Sequence, residues 1–332
     1  MTKKRILSGM RPTGKLHLGH LVGALNNWVR LQDEYECFFM VADWHALMSE
    51  YENSRIIKES AYDNVADWFA AGIDPQKSTV FIQSQLPQHV ELYMAFSMLT
   101  PLGWLERCPT YKEQMRELKD RHISTYAFLG YPVLQAADIC LYKAHAVPVG
   151  EDQLPHLELT REIVRKFNGM YKEIFPEPKP LLTQVPRLMG LAGRKMSKSY
   201  DNFIALSDPE EVIKKKTQGM FTDPQRIKKT DPGHPQECNV HRYYEIFFPD
   251  KKEEGARYCR NAEIGCTDCK KLLGELLAKF LAPFQEKRRS YLEDKKKLGE
   301  ILESGREKAS KVASATMHEV REAIGLLPWP IK

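Results

Sequence analysis

The sequence predicts an α/β protein, a parallel sheet covered on both faces by helices and followed by an all-α C-terminal part. Three observations predict it. Over the first 85 residues short apolar runs alternate with helical patterns. A glycine-framed turn directly follows the first of those runs. Beyond about residue 205 the strand signals give way to helical periodicity.

The series opens with Arg5-Ile6-Leu7, the turn and a helix, and continues through Cys37-Phe38-Phe39-Met40-Val41, a second helix and Val80-Phe81-Ile82. Asn53 or Ser54 is placed to cap that second helix. Ile56, Ile57, Ala61, Val65 and Phe69 give it one apolar face, and Gly72 with Asp74-Pro75 stops it. Alternation of this kind places ligands at the carboxyl ends of the strands. Residues 86–148 read as helical, interrupted at Pro101, Pro109 and Pro132, and form an insertion in the nucleotide-type fold. A helical pattern returns over 155–167, Leu182-Thr183-Gln184-Val185 reads as a further strand, and a polar, glycine-containing loop covers 193–199. Ser207 with Glu210 resembles a capping box. Leu273, Leu276, Leu277, Phe280, Leu281 and Phe284 form one helical stripe whose expected use is core packing. The expected division is a catalytic domain over 1–205 containing the insertion, and a helical domain over 206–332.

Among 332 residues, 42% hydrophobic and 28% charged content is ordinary for a globular chain. No apolar stretch approaches the roughly 20 residues a bilayer span needs, so no membrane role is expected. Met1-Thr2-Lys3-Lys4-Arg5 runs into the first strand without the apolar core of a secretory signal, and a cytoplasmic location is expected. A net charge of +5 permits contact with a polyanion without requiring it, and Lys287-Arg288-Arg289 and Lys295-Lys296-Lys297 read first as solvated helix faces.

Cys37, Cys108 and Cys140 lie in apolar contexts, whereas Cys238, Cys259, Cys266 and Cys269 crowd together with gaps of 20, 6 and 2 residues. In a reducing compartment such a group points to a metal or iron-sulfur site rather than to disulfides. Four thiolates close a tetrahedral set, and by spacing both Zn²⁺ and an iron-sulfur cluster are admissible.

The segment Arg11-Pro12-Thr13-Gly14-Lys15-Leu16-His17-Leu18-Gly19-His20 is where a nucleotide should sit. A helix N-terminus offers unpaired N–H groups and the positive end of its dipole to phosphate, and Gly14 and Gly19 allow close backbone approach. His17 and His20, three residues apart, share a helix face and can donate to α-phosphate oxygens as charge builds there. Taken alone, H-x-G-H also suits a metal pair or two incidental surface histidines. Lys195-Met196-Ser197-Lys198-Ser199 adds two mobile cations and two hydroxyls suited to a departing pyrophosphate.

The pairing of those two motifs resembles the signature of the class I aminoacyl-tRNA synthetases. The chain is similar to the tryptophanyl branch along essentially its whole length, in Ser8-Gly9-Met10-Arg11-Pro12-Thr13-Gly14, Val41-Ala42-Asp43-Trp44-His45-Ala46, Tyr131-Pro132-Val133-Leu134-Gln135-Ala136-Ala137-Asp138-Ile139 and Val147-Pro148-Val149-Gly150-Glu151-Asp152-Gln153. The resemblance implies a Rossmann-like doubly wound sheet and a ligase that joins L-tryptophan to its tRNA through an adenylate, using ATP and Mg²⁺. It implies ATP contacts at Arg11, Pro12, Thr13, Gly19, His20, Gly150, Glu151, Asp152 and Leu188 and at Lys195, Met196, Ser197, Lys198 and Ser199. Asp138 would accept the indole N–H, a carboxylate being acceptor-only where indole is donor-only, with Tyr131, Gln153 and His45 lining the same pocket.

It further implies a homodimer, an anticodon-binding role for the C-terminal helices and, as in a subset of the family, a [4Fe-4S] cluster on Cys238, Cys259, Cys266 and Cys269. Arg11 and Gln135 depart from the glutamine and methionine common in bacterial members. Tyrosyl-tRNA synthetases share the fold, and small-molecule adenylyltransferases share H-x-G-H without needing the helical C-terminal part.

Overall fold

The computed structural model describes residues 3–117, 122–182, 188–194, 196 and 202–327. Among them five parallel strands form one sheet: β1 (Arg5–Met10), β2 (Glu36–Val41), β3 (Ser78–Ile82), β4 (Ala146–Val149) and β5 (Lys179–Leu182). Their order is β3-β2-β1-β4-β5. The chain winds outward from β1 to β3, returns, and continues from β4 on the other side. The strand order therefore reverses between β1 and β4, the place where open α/β sheets take their ligands. Strands β2 and β4 are buried almost throughout, as expected of strands covered on both faces.

The first long helix, Arg55–Ala71, ends on Gly72 at φ 113°, a left-handed conformation that suits glycine. Ser54 stands at its N-cap without a side-chain hydrogen bond. Four helices, Gln88–Leu99, Leu102–Arg107, Pro109–Glu117 and Tyr126–Leu141, fill most of the expected insertion. Its last residues do not belong to it, because Ala146, Val147 and Pro148 form β4 and pair with β1 and β5. Four consecutive buried residues containing a proline carry no alternating pattern, so a strand there is hard to tell from helix. Strand β5 begins three residues ahead of the expected one and ends at Leu182; Thr183, Gln184 and Val185 lie outside the described residues. Ser207 does not cap the next helix. Pro209 holds that position, and Asp208 instead accepts from the Ala205 amide and from Lys216.

By compactness the chain divides elsewhere than at residue 205. One unit comprises Met1–Gly14, Asn27–Gln184 and Tyr291–Lys332, the other Lys15–Asn26 and Val185–Ser290. In the first, the helix Lys295–Ala323 packs on β3, on Gln88–Leu99 and on Tyr126–Leu141. Ala309, Ala313, Met317 and Val320 enter the sheet's apolar core, and Arg321 grips Glu91 with two hydrogen bonds of 2.6 Å. In the second, the short segment is tied in by Leu18 N donating to Ile204 O and Leu206 N to Leu16 O. Leu273, Leu277, Leu281 and Phe284 are buried as the stripe requires, while Phe280 is half exposed against Phe247 and Phe248.

Candidate active site

Two segments leave the sheet at its point of reversal. Arg11 follows β1, with Thr13 N donating to Arg11 O and Gly14 turning the chain at φ 111°. Gly150 follows β4 and leads into the turn Glu151–Gln153, whose Glu151 and Asp152 are exposed.

The carboxyl ends of β2 and β3 carry a second group of residues. The helix Asp43–Glu50 follows β2 and brings His45; Gln83 directly follows β3. Both converge on Asp138, which is 1% exposed on the helix Tyr126–Leu141. His45 Nε2 donates to Asp138 Oδ2 at 2.7 Å and His89 Nδ1 to Oδ1 at 2.7 Å. Gln83 Nε2 donates to both oxygens, at 2.8 and 3.0 Å. Burial acts to raise the carboxyl pKa, yet the hydrogen bonds and charge of the two histidines outweigh it and hold Asp138 below its ordinary value. The outcome is a buried, ionised, acceptor-only group, the complement of a ring N–H.

Beside it runs a second polar chain. Tyr131 OH bonds His156 Nε2 at 2.9 Å, and His156 Nδ1 bonds Gln153 Oε1 at 3.0 Å. Gln153 Nε2 in turn donates to Asp152. The amide oxygen of Gln153 only accepts, so Nδ1 carries the hydrogen and Nε2 accepts from the tyrosine. Burial, with the charge of His45, lowers the His156 pKa to about 4, and burial pushes the Tyr131 hydroxyl up.

A pH dependence follows. His156 protonates near 6.5 in the unfolded chain and near 4 in the folded one, so its contribution is fully present above pH 6.5 and is lost as pH falls toward 4. The total is about 3 kcal/mol. Stability of wild type minus that of His156→Gln, taken from chemical denaturation at pH 7.5 and pH 4.5, is expected to shrink by about that amount. Parallel pH curves for the two proteins would contradict it.

In the second unit, His17 caps the helix that starts at Leu18. Its Nδ1 accepts from Gly19 N, and His20 Nδ1 accepts from His17 N, with ring centroids 3.9 Å apart. With both Nδ1 atoms accepting, each ring carries its hydrogen on Nε2, where it serves as a donor. Gly19 is glycine for a local reason, since a Cβ would stand 2.9 Å from the His17 ring and 3.1 Å from Met196 Sδ. Met196 is the one residue of K-M-S-K-S described. Lys195, Ser197, Lys198 and Ser199 lie outside the described residues. Leu188 is half buried.

Cys238, Cys259, Cys266 and Cys269 are free and lie within electrostatic reach of one another. Burial raises the Cys238, Cys259 and Cys269 thiols, Cys269 to about 12, and the neighbouring thiols add to each rise. Among the described residues no three His, Cys, Asp or Glu side chains are grouped so as to hold a metal ion.

The structure thus joins His45 to Asp138, and Tyr131 to Gln153. Reading the sequence missed Gln83, His89 and His156. Gln83 did carry a signal, as the first polar residue past a strand's carboxyl end. His89 and His156 carried none, because a lone histidine on an apolar helix face reads as core.

The sheet order with its reversal between β1 and β4, and a histidine-capped helix following the first strand, are the features of a class I aminoacyl-tRNA synthetase fold. The family model described as tRNA synthetases class I (W and Y) matches residues 2–282. A tryptophan–tRNA ligase of Thermotoga maritima is 52% identical over 328 residues, spanning 97% of this chain and 99% of that protein. One of Clostridium longisporum is 45% identical over 335 residues, spanning 98% of each. The crystal structure of tryptophanyl-tRNA synthetase from Campylobacter jejuni complexed with ADP and tryptophan superimposes with a TM-score of 0.89 at 34% identity, covering 97% of this chain and 100% of that one. The chain belongs to the class I tRNA synthetases of the W and Y family. Among the described residues no helix is long and apolar enough to cross a membrane.

Proposed function

We propose that this protein attaches L-tryptophan to tRNA(Trp) in two steps. A tryptophan carboxylate oxygen attacks the ATP α-phosphorus, the bond to the β-phosphate bridging oxygen breaks, and pyrophosphate leaves. A terminal ribose hydroxyl of the tRNA then takes the acyl group and AMP departs. The observation that carries this reading is the full-length likeness to a tryptophan–tRNA ligase at 52% identity. Asp138 supports the choice of tryptophan over tyrosine, because its oxygens are presented as ring N–H acceptors between two histidines and an amide.

The Nε2–H groups of His17 and His20 serve the α-phosphate, and Lys195 and Lys198 the leaving pyrophosphate. Arg11, Pro12, Thr13, Gly19, Gly150, Glu151, Asp152, Leu188, Met196, Ser197 and Ser199 complete the ATP contacts, with Tyr131, Gln153 and His45 beside the amino acid. Mg²⁺ on the triphosphate supplies charge neutralisation. The acceleration comes from proximity and fixed donors. The test is ATP–pyrophosphate exchange, expected with tryptophan and at least 10³-fold weaker with tyrosine; equal rates with the two amino acids would refute the assignment.

The four cysteines are proposed to hold a [4Fe-4S] cluster with a structural role among the helices that read the anticodon. Four neighbouring thiols whose ionised forms repel one another are the donor set a cation relieves. Zinc, which four thiolates also bind at Zn–S of about 2.3 Å, is the alternative metal. Anaerobically purified protein is expected to show broad visible absorption and about four irons per chain, both lost in Cys266→Ala. One zinc and no iron would replace the cluster by the alternative metal.

A homodimer in the cytoplasm completes the proposal. An apolar groove of about 430 Å³, lined by Trp44, Met48, Val90, Tyr93 and Leu134 and flanked by the exposed Met94, Met98 and Tyr126, supplies the kind of surface that association covers.

A further inference from the structure

Asp138 is held unequally on its two sides. Oδ1 accepts from His89 Nδ1 at 2.7 Å and Gln83 Nε2 at 2.8 Å, and both donors are wholly buried. His89 is fixed in turn, its Nε2 bonded to Tyr142 OH at 2.9 Å, with Tyr142 also wholly buried. Oδ2 has His45 as its near partner at 2.7 Å, with Gln83 at 3.0 Å. His45 is the one donor of the three whose side chain keeps some exposure, 12% against 0% for His89.

We propose that Tyr142, His89 and Gln83 clamp Asp138 through Oδ1, and that His45 is a placeholder on Oδ2 whose N–H is exchanged for the ring N–H of the substrate. This deepens the tryptophan-activating function and rests on it.

In donor count the exchange is near symmetrical. Imidazole and indole each present one N–H on a planar five-membered ring, so the carboxylate keeps a partner before and after. Neither state carries the penalty of an orphaned buried charge. An amino acid whose ring has no donor meets a different balance, since it must leave Oδ2 bonded to His45 and find less room, or displace His45 and leave Oδ2 short of a donor. Gln83 also makes the exchange local. Its Oε1 accepts from Trp44 N at 3.2 Å, pinning the backbone beside His45, so only the side chain need swing.

The titratable groups facing Asp138 are His45 from the helix after β2, His89 from Gln88–Leu99 and Tyr142 at the end of its own helix. His156, bonded to Tyr131, faces His45 from the next helix. His89 and Tyr142 are positioning residues, and they act on the substrate only through Asp138.

The experiment is ATP–pyrophosphate exchange with tryptophan and with phenylalanine, on the full chain and four variants whose folding is checked by thermal unfolding. His89→Leu is expected to raise KM for tryptophan roughly thirtyfold with kcat changed less than about threefold, and to narrow the preference over phenylalanine roughly tenfold. His89→Asn, which keeps an N–H near the Nδ1 position, should recover most of that loss. Tyr142→Phe removes one hydroxyl from an otherwise unchanged ring and should raise KM about threefold to tenfold, with kcat changed less than about threefold. His45→Ala should do the opposite, lowering KM for tryptophan about threefold because no donor competes, while raising phenylalanine activation about tenfold.

A raised tryptophan KM in His45→Ala overturns the placeholder. Wild-type kinetics in both Tyr142→Phe and His89→Leu overturn the clamp. If the wild-type chain itself shows no tryptophan-dependent exchange, the functional reading falls and takes this one with it, an outcome distinct from the other two.

Discussion

Replacing Asp138 by asparagine is expected to lower kcat/KM for tryptophan activation by roughly 10²–10³-fold, or about 3–4 kcal/mol of transition-state stabilisation. The change is nearly isosteric, so space does not explain the loss. Three donors converge on the carboxylate, from His45, His89 and Gln83. An asparagine has one acceptor oxygen and puts an NH₂ where its other oxygen was, so at least one buried donor faces another donor. Each such orphan costs about 1–3 kcal/mol. If the amide oxygen turns toward His89 and Gln83, the pocket side offers a donor to the substrate's own N–H, and recognition fails. Turned the other way, it loses the buried side and with it stability. Exchange kinetics and thermal unfolding on one preparation separate the two orientations. A variant whose kcat/KM stays within about fivefold of wild type would show that Asp138 does not read the ring.

Gly305→Ala is expected to cost about 3 kcal/mol or more and to lower the thermal midpoint by roughly 4 °C or more. Alanine is normally the better helix former by about 1 kcal/mol, and the sign reverses here because of what the methyl meets. Gly305 lies inside the helix Lys295–Ala323, and a Cβ there would collide with the Val80 carbonyl oxygen and approach the Val80 carbonyl carbon and nitrogen of β3. These are backbone atoms of a strand paired with β2, so no side-chain rotation relieves the overlap. Gly299, six residues earlier in the same helix, is the internal control. A Cβ there meets nothing within 4 Å, so Gly299→Ala is expected to stabilise by about 0.5–1 kcal/mol. Equal midpoints for the two variants would contradict close packing of this helix on the backbone of β3.

Much of the architecture was legible before any coordinates. The alternation through Val80-Phe81-Ile82 located β1 to β3, because strands buried on both faces demand uninterrupted apolar runs. Gly72 was legible as a stop because few other residues tolerate φ 113°. H-x-G-H was legible because its chemistry is local, with His17, Gly19 and His20 capping one turn of one helix. The short β4 was not, since Ala146–Val149 reads no differently from the end of a helix.

Composition and order along the chain by themselves determined the α/β class, the glycine-framed turn after the first strand and the crowding of four cysteines. Each of these depends on a residue and its near neighbours, a range that covalent geometry fixes. Only the tertiary structure decided that the last helix covers β3, that His89 and Gln83 hold one oxygen of Asp138 while His45 holds the other, and that His156 bridges Tyr131 to Gln153. The last helix and β3 lie more than 200 positions apart, and the hydrogen bonds of Asp138 and of Tyr131 with His156 join residues 25 to 93 positions apart. A buried polar side chain takes whichever partner the packed core brings within about 3 Å, and no spacing along the chain encodes that distance.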